Sequence, residues 1–217
     1  MKALLFSAAV LAWMGPASAC DVALVLGVDV SHSIDNGEYA FQIGGMADAL
    51  TDPVIASALV EQEAMVAVVQ WSGAEEQEVS IPWTRLATGG DVKALSQRMR
   101  TLQRPWEESN TAVGAAIQEM TRLFKEVPHC ARRVIDFSGD GVNNAGPPPP
   151  EPRQRAIAAG ITINGLAIDR IGLSVTQYYK GHLITGRDAF VVTARGYRDY
   201  PRAIRMKLFR ELLPPSS

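Results

Sequence analysis

Residues 23–28, Ala-Leu-Val-Leu-Gly-Val, form an unbroken apolar run that ends abruptly in Asp29-Val30-Ser31-His32-Ser33. A run of strand length with no polar alternation has both faces covered, which is the situation of a strand inside a parallel sheet. In open α/β sheets ligands bind beyond the carboxyl ends of such strands. The end of this strand delivers one carboxylate and two hydroxyls within a single turn. Hard oxygen donors of that kind suit Mg²⁺, Mn²⁺ or Ca²⁺ better than zinc.

The remainder of the chain repeats the alternation of strand and helix. Residues 37–50 carry Ile43, Met46, Ala47 and Leu50 on one helical stripe, and a shorter helix follows over 53–60. Residues 64–70 read as a second buried strand. Residues 78–83 alternate and read as a third, with Pro82 suited to a sheet edge. A helix is predicted over 91–102 with Asp91 as its N-cap, then a polar loop over 103–110, then a helix opened by Thr111. Strands are predicted at 133–137, 161–168 and 189–193, and Asp169 stands at the carboxyl end of the fifth. The prolines from Pro147 to Pro152 make a stiff loop leading into a short helix that ends near Gly160. Residues 175–184 read as helical, and Ile204, Leu208 and Leu212 mark a closing helix. These elements predict an α/β domain, a doubly wound, mostly parallel six-stranded sheet with helices on both faces.

The first residues combine Lys2, an apolar stretch over 3–14 and Ala17-Ser18-Ala19. That pattern reads as a secretory signal peptide over 1–19, with one domain over 20–217. The apolar stretch is too short for a membrane span, and no later segment is longer, so no transmembrane segment is expected. An exported product follows, periplasmic or secreted; acylation of Cys20 as a lipid anchor ranks second, because Ala17 stands where such signals carry Leu. A formal net charge of −2 argues against nucleic acid as the partner. Arg198, Arg202 and Arg205 read as the solvated side of the closing helix.

Both cysteines, Cys20 and Cys130, survive signal cleavage and would meet an oxidising compartment. Each lies just before a predicted strand, and each precedes a candidate site carboxylate, Asp29 or Asp140, by a similar distance. If those strands are parallel neighbours, the sulfurs meet at the sheet edge opposite the site and form a disulfide. The alternative is two free thiols.

Three segments together carry a resemblance. Asp29-x-Ser31-x-Ser33, Thr111-Ala112-Val113-Gly114 at a helix start and Ser138-Gly139-Asp140-Gly141 after an apolar strand occur in the order of the von Willebrand factor A domain with its metal-ion-dependent adhesion site. The stretch from Cys130 to Asn144 is also similar to an uncharacterised exported bacterial branch of that family, a domain of unknown function. The resemblance spans nearly all of residues 20–217. It implies that Ser31, Ser33 and Thr111 hold the ion by neutral hydroxyls, with Asp29 and Asp140 acting directly or through water. An ion so held stays electrophilic and keeps a position for a carboxylate from a partner protein or ligand. The implied cofactor is Mg²⁺, with Mn²⁺ or Ca²⁺ as substitutes. The family's sheet order puts strands one and four side by side, which supports the Cys20–Cys130 bridge.

The pattern departs from the family at two places. His32 replaces the small residue usual between the serines, either crowding the turn or facing away. The usual Thr-Asp-Gly is stretched to Ser138-Gly139-Asp140-Gly141, which leaves open whether Asp140 or Ser138 comes closer to the ion. Asp136, inside a buried strand, supports the ligands from behind or pairs with Arg132 or Arg133; the structural role is favoured. Ser138 and Asn143 are placed behind the ligands or at the rim. Trp71 and Trp83 read as core, and only Trp106 is assigned to a binding rim.

The best rival is an enzyme. Gly139-Asp140-Gly141-Val142-Asn143-Asn144 resembles the metal motif of haloacid-dehalogenase-type phosphatases, in which Asp29 would be the nucleophile. That family needs a second Asp two residues on, where this chain has Ser31. A serine hydrolase would need G-x-S-x-G, and Phe137 precedes Ser138 at the first glycine position. The third reading is a von Willebrand-type scaffold without metal.

Overall fold

The computed structural model describes residues 20–107 and 109–212, so the leader predicted over 1–19 lies outside the described residues. The buried runs form strands β1 (Val22–Asp29), β2 (Met65–Trp71), β3 (Gln77–Arg85), β4 (Arg132–Gly139), β5 (Thr162–Ile168) and β6 (Val191–Ala194). They make one sheet in the order β3-β2-β1-β4-β5-β6. All neighbours are parallel except β2 and β3. Pro82 thus lies in an edge strand, where its missing N–H is tolerated.

Helices cover both faces. One core layer joins β1 and its neighbours to α1 (Asn36–Leu50), α2 (Pro53–Glu61), α3 (Gly89–Arg100) and α7 (Tyr200–Leu212). The other joins them to α4 (Val113–Leu123), α5 (Pro150–Ala158) and α6 (Ser174–Tyr178), which runs on as a π-helical turn over Tyr179–Leu183. Along β1, Leu24, Leu26 and Val28 feed the first layer, and Ala23 and Val25 the second. Gly27 faces α4 so closely that a Cβ there would meet Met120 Sδ at 2.7 Å.

Helix starts differ in detail from the sequence expectation. Thr88, not Asp91, is the N-cap of α3; Asp91 sits three residues on and returns its carboxylate to the Thr88 N–H, closing a capping box. The proline run is partly helical, because Pro150 occupies the first position of α5, where a missing N–H costs nothing.

Chain reversal of the strand order falls between β1 and β4. Strand order runs outward to β2 on one side and to β5 on the other, and a crevice opens beyond the carboxyl ends at such a switch point. At the opposite edge, Val22 pairs with Arg132, so Cys20 and Cys130 come into register two residues earlier and are joined by a disulfide, with Cα atoms 4.7 Å apart.

Asp136 corrects an expectation. Its partner is neither Arg132 nor Arg133 but Lys207 of α7, whose Nζ lies 2.7 Å from Oδ2 and 2.6 Å from Glu211 Oε1. Alternation sends Arg133 to the other face of β4, and Arg132 is drawn to Gln62 and the Glu211 carbonyl. Lys207 and Asp136 are fully buried. On the solvent side of α7 and the turn before it, Arg202 pairs with Asp199 and Arg205 with Asp52.

Candidate metal centre

Asp29 ends β1 with its side chain turned toward the layer of α4 and α6, and it is fully buried. Its Oδ1 accepts the Ser31 N–H at 2.8 Å, which curls the chain so that Ser31 Oγ and Ser33 Oγ stand 3.3 Å apart. Across the switch point, Ser33 Oγ donates to Asp140 Oδ1 at 2.6 Å. Asp140 reaches that position because Gly139 adds a residue opposite Asp29. A Cβ on Gly139 would lie 2.6 Å from Asp29 Oδ2 and 2.7 Å from the Tyr179 hydroxyl, so only glycine fits.

Thr111 arrives by a separate route. The Asn144 side-chain carbonyl accepts the Thr111 N–H at 2.8 Å, and the Asn144 N–H donates back to the Thr111 carbonyl at 2.9 Å. Asn143 Oδ1 accepts from the Gly114 N–H at 3.1 Å, in the first turn of α4. Gly141 sits against Thr111; a Cβ there would meet Thr111 Oγ1 at 3.2 Å. The His32 N–H donates to the Ser109 carbonyl at 2.9 Å, tying the serine turn to the segment that carries Thr111. The His32 side chain is exposed.

The structure thus gathers Asp29, Ser31, Ser33 and Asp140 into one connected cluster and brings Thr111 against the same loop. Ser138 is buried and donates to the Gly27 carbonyl at 3.0 Å, so Asp140, not Ser138, meets the serine turn. Asp136 lies deep in β4 with Lys207. Asn143 positions the helix that follows Thr111. Trp106 is half-buried and packs against the core.

The electrostatics are those of two acids crowded together. Burial, then the charge of Asp140, pushes the Asp29 carboxyl up to about 7. Burial, followed by the Asp29 and Asp140 charges, also holds the Tyr179 phenol well above its ordinary value. Asp29 Oδ2 and the Tyr179 hydroxyl are buried without a hydrogen-bond partner. A buried oxygen left unpartnered beside a second carboxylate is costly in a purely structural acid and suits a cation. Three hydroxyls and two carboxylates match a hard divalent ion by donor chemistry. Among the described residues no group of three or more His, Cys, Asp or Glu side chains is placed to hold a metal. A cavity of about 740 Å³ between α4 and α5 opens at the other end of the sheet, near Pro128 and Arg133.

Sequence reasoning missed Arg170, which follows β5. Its Nη2 donates to the Ser33 carbonyl at 2.7 Å and to Glu38 Oε2 at 2.8 Å and lies 3.4 Å from Asp140 Oδ2. Tyr197 lies under the guanidinium, 5.5 Å from ring centroid to Cζ. The available signal was position alone: Arg170 is next to Asp169 at a predicted strand end.

The family model described as "Protein of unknown function (DUF1194)" matches residues 19–216. No curated protein matches the chain. Among solved structures, proximal thread matrix protein 1 from the mussel byssus superposes with a TM-score of 0.67 at 20% identity, covering 87% of this chain and 47% of that one. This chain therefore spans about half the length of the mussel protein. Another structure of that protein is described as having a zinc-occupied MIDAS motif, with a TM-score of 0.67, 20% identity and coverage of 87% and 48%. A von Willebrand factor type A protein from Catenulispora acidiphila gives 0.62 at 18% identity, covering 89% and 43%. BatB from Bacteroides thetaiotaomicron gives 0.59 at 16% identity, covering 88% and 98%. At these identities the likeness establishes the von Willebrand factor A fold.

Proposed function

The chain belongs to the DUF1194 family, proteins of unknown function, and has a von Willebrand factor A fold; on that premise we propose that it is an exported, divalent-cation-dependent binding domain of the adhesion type. Ser31, Ser33 and Thr111 would hold the ion by their hydroxyls, with Asp29 and Asp140 as its carboxylates. When bound, the ion supplies an electrophilic position for an acidic group of a partner protein or ligand. The reading is carried by one observation: Asp29 presents a buried, unpartnered Oδ2 beside Asp140, while Asp140 is already bonded to Ser33 from a distant segment.

The chain's own residues set the site's selectivity for hard ions. Neutral hydroxyls leave the charge of a divalent ion largely uncancelled. The Ser31 N–H fixes the Asp29 carboxylate, and Asn144 fixes the backbone of Thr111. Mg²⁺ is the ion proposed, with Mn²⁺ or Ca²⁺ as substitutes; zinc in the mussel protein's motif makes Zn²⁺ a necessary comparison. The Cys20–Cys130 bridge agrees with export, and no single helix among the described residues is long and apolar enough to cross a membrane.

The phosphatase reading has less support. Ser31 stands in place of the second Asp, and the Asp29 carboxylate is fully buried with Oδ1 held by the Ser31 N–H, a poor posture for an attacking nucleophile.

Isothermal titration of residues 20–217 with Mg²⁺ and Mn²⁺, repeated on the Ser31→Ala, Asp140→Ala double variant, tests the proposal. Binding heat in the parent that is lost in the variant supports it. Hydrolysis of a generic phosphoester, abolished by Asp29→Asn, would favour the enzyme instead.

A further inference from the structure

Arg170 roofs the candidate centre. Asp169, one residue earlier, spends its carboxylate on the start of α6, accepting from the Val175 N–H at 3.0 Å, the Thr176 N–H at 3.1 Å and the Thr176 hydroxyl at 2.6 Å. The end of β5 is thereby anchored, and Arg170 leaves it toward the serine turn. Its hydrogen bonds to Ser33, Glu38 and Asp140 all run through Nη2. Nε and Nη1 make no hydrogen bond to a carboxylate or carbonyl among the described residues. Packing on Tyr197 fixes the guanidinium plane. The arginine side chain is 52% exposed, while that of Asp140 beneath it is 4% exposed.

One terminal nitrogen is therefore taken up by Ser33, Glu38 and Asp140, Tyr197 flanks the group, and the remainder of a rigid five-donor fork stays half exposed at the mouth of the site. We infer that Arg170 is the anion receptor of this centre: the carboxylate group of a partner is bound jointly, by the ion that Ser31, Ser33 and Thr111 would hold and by the exposed edge of the Arg170 guanidinium. This rests on the reading of the centre as a cation site. Guanidinium and carboxylate match in charge and in planar geometry, and such hydrogen bonds are stronger than neutral ones. The ligand class is a monoanionic carboxylate. Asp140 and Glu38 already stand beside the guanidinium, so a dianion such as phosphate meets more repulsion than a side-chain carboxylate does. Loss of the guanidinium thus affects the acidic ligand more than the ion.

The test uses residues 20–217 loaded with Mn²⁺ and acetate as the carboxylate probe. Mn²⁺ uptake is read from the free-ion electron spin resonance signal, and acetate uptake from the fall in water-proton relaxation as it displaces water from the ion. For Arg170→Gln, the expected result is folded protein that still takes up Mn²⁺, with acetate binding weakened by about tenfold. Arg170→Lys recovers part of the acetate binding, because it restores charge without the fork. Three outcomes overturn the inference: acetate binding unchanged in Arg170→Gln, Mn²⁺ uptake weakened as much as acetate uptake, or inorganic phosphate displacing water at lower concentration than acetate. No Mn²⁺ uptake by the parent protein overturns the cation-site reading itself, and this inference with it.

Discussion

Ser33 and Asp140 are 107 residues apart in the chain, and their side chains meet in a 2.6 Å hydrogen bond across the junction of β1 and β4. That bond closes the crevice created by the strand order and places the Asp140 carboxylate beside the buried Asp29. Two acids meeting at the end of a hydrophobic sheet carry a cost, and the consequences of that cost are measurable.

Stability depends on pH with a definite sign. Asp29 is held up to about 7, so the folded state keeps a proton that the unfolded chain releases near 4. Its stabilising contribution is fully present below the unfolded value and is lost as pH rises through about 7. Glu211, pushed up to about 8 chiefly by burial and by Asp136, acts in the same direction. Without divalent cation, the melting temperature should fall from pH 4 toward pH 8. Saturating Mg²⁺ should remove the Asp29 part of that fall and leave the Glu211 part, as read by melts across the pH series with and without the ion.

Gly139→Ala should destabilise the fold and the centre together. Its methyl would sit 2.6 Å from Asp29 Oδ2 and 2.7 Å from the Tyr179 hydroxyl, and both groups are fully buried. A loss of about 2–3 kcal/mol in urea unfolding is expected. Gly44→Ala, in α1 with no heavy atom within 4 Å of the added methyl, is the control and should lose nothing.

Lys207→Met should be among the most damaging single changes. It leaves Asp136 and Glu211 buried without their shared cation. Removing one partner of a buried ion pair costs roughly 3–5 kcal/mol, so equilibrium unfolding should show a loss of that order.

Much of the architecture was legible in the sequence for a physical reason. Continuous apolar runs such as Ala23 to Val28 have few alternatives to a buried strand, and the Asp-Ser turn follows one of them directly. That the serine turn, Thr111 and Asp140 would come near one another was legible because each stands close to a strand end or helix start. Arg170 was not legible, since its role depends on contacts with Glu38 and Asp140 that no spacing encodes. Lys207 was missed for a related reason: α7 reads as a polar helix, and only the position of Asp136 in β4 turns this lysine inward. Neither arginine offered to Asp136 reaches it, because strand alternation turns Arg133 to the other face and Arg132, on the same face, is drawn to Gln62 and the Glu211 carbonyl.

Removing the bridge with Cys20→Ser and Cys130→Ser should cost about 4–5 kcal/mol by the chain-entropy argument, since 110 residues separate the two positions. The disulfide lies at the end of the sheet opposite Asp29. Calorimetry of the folded variant should therefore return the parent's Mg²⁺ affinity while denaturant unfolding shows the stability loss.

The most direct measurement is anomalous diffraction from crystals of residues 20–217 soaked in Mn²⁺. A manganese peak within bonding distance of the Ser31, Ser33 and Thr111 hydroxyls, and lost in Thr111→Ala crystals, is the predicted result. A peak elsewhere on the molecule, or no peak with the Thr111 hydroxyl turned away from the serine turn, would contradict the account.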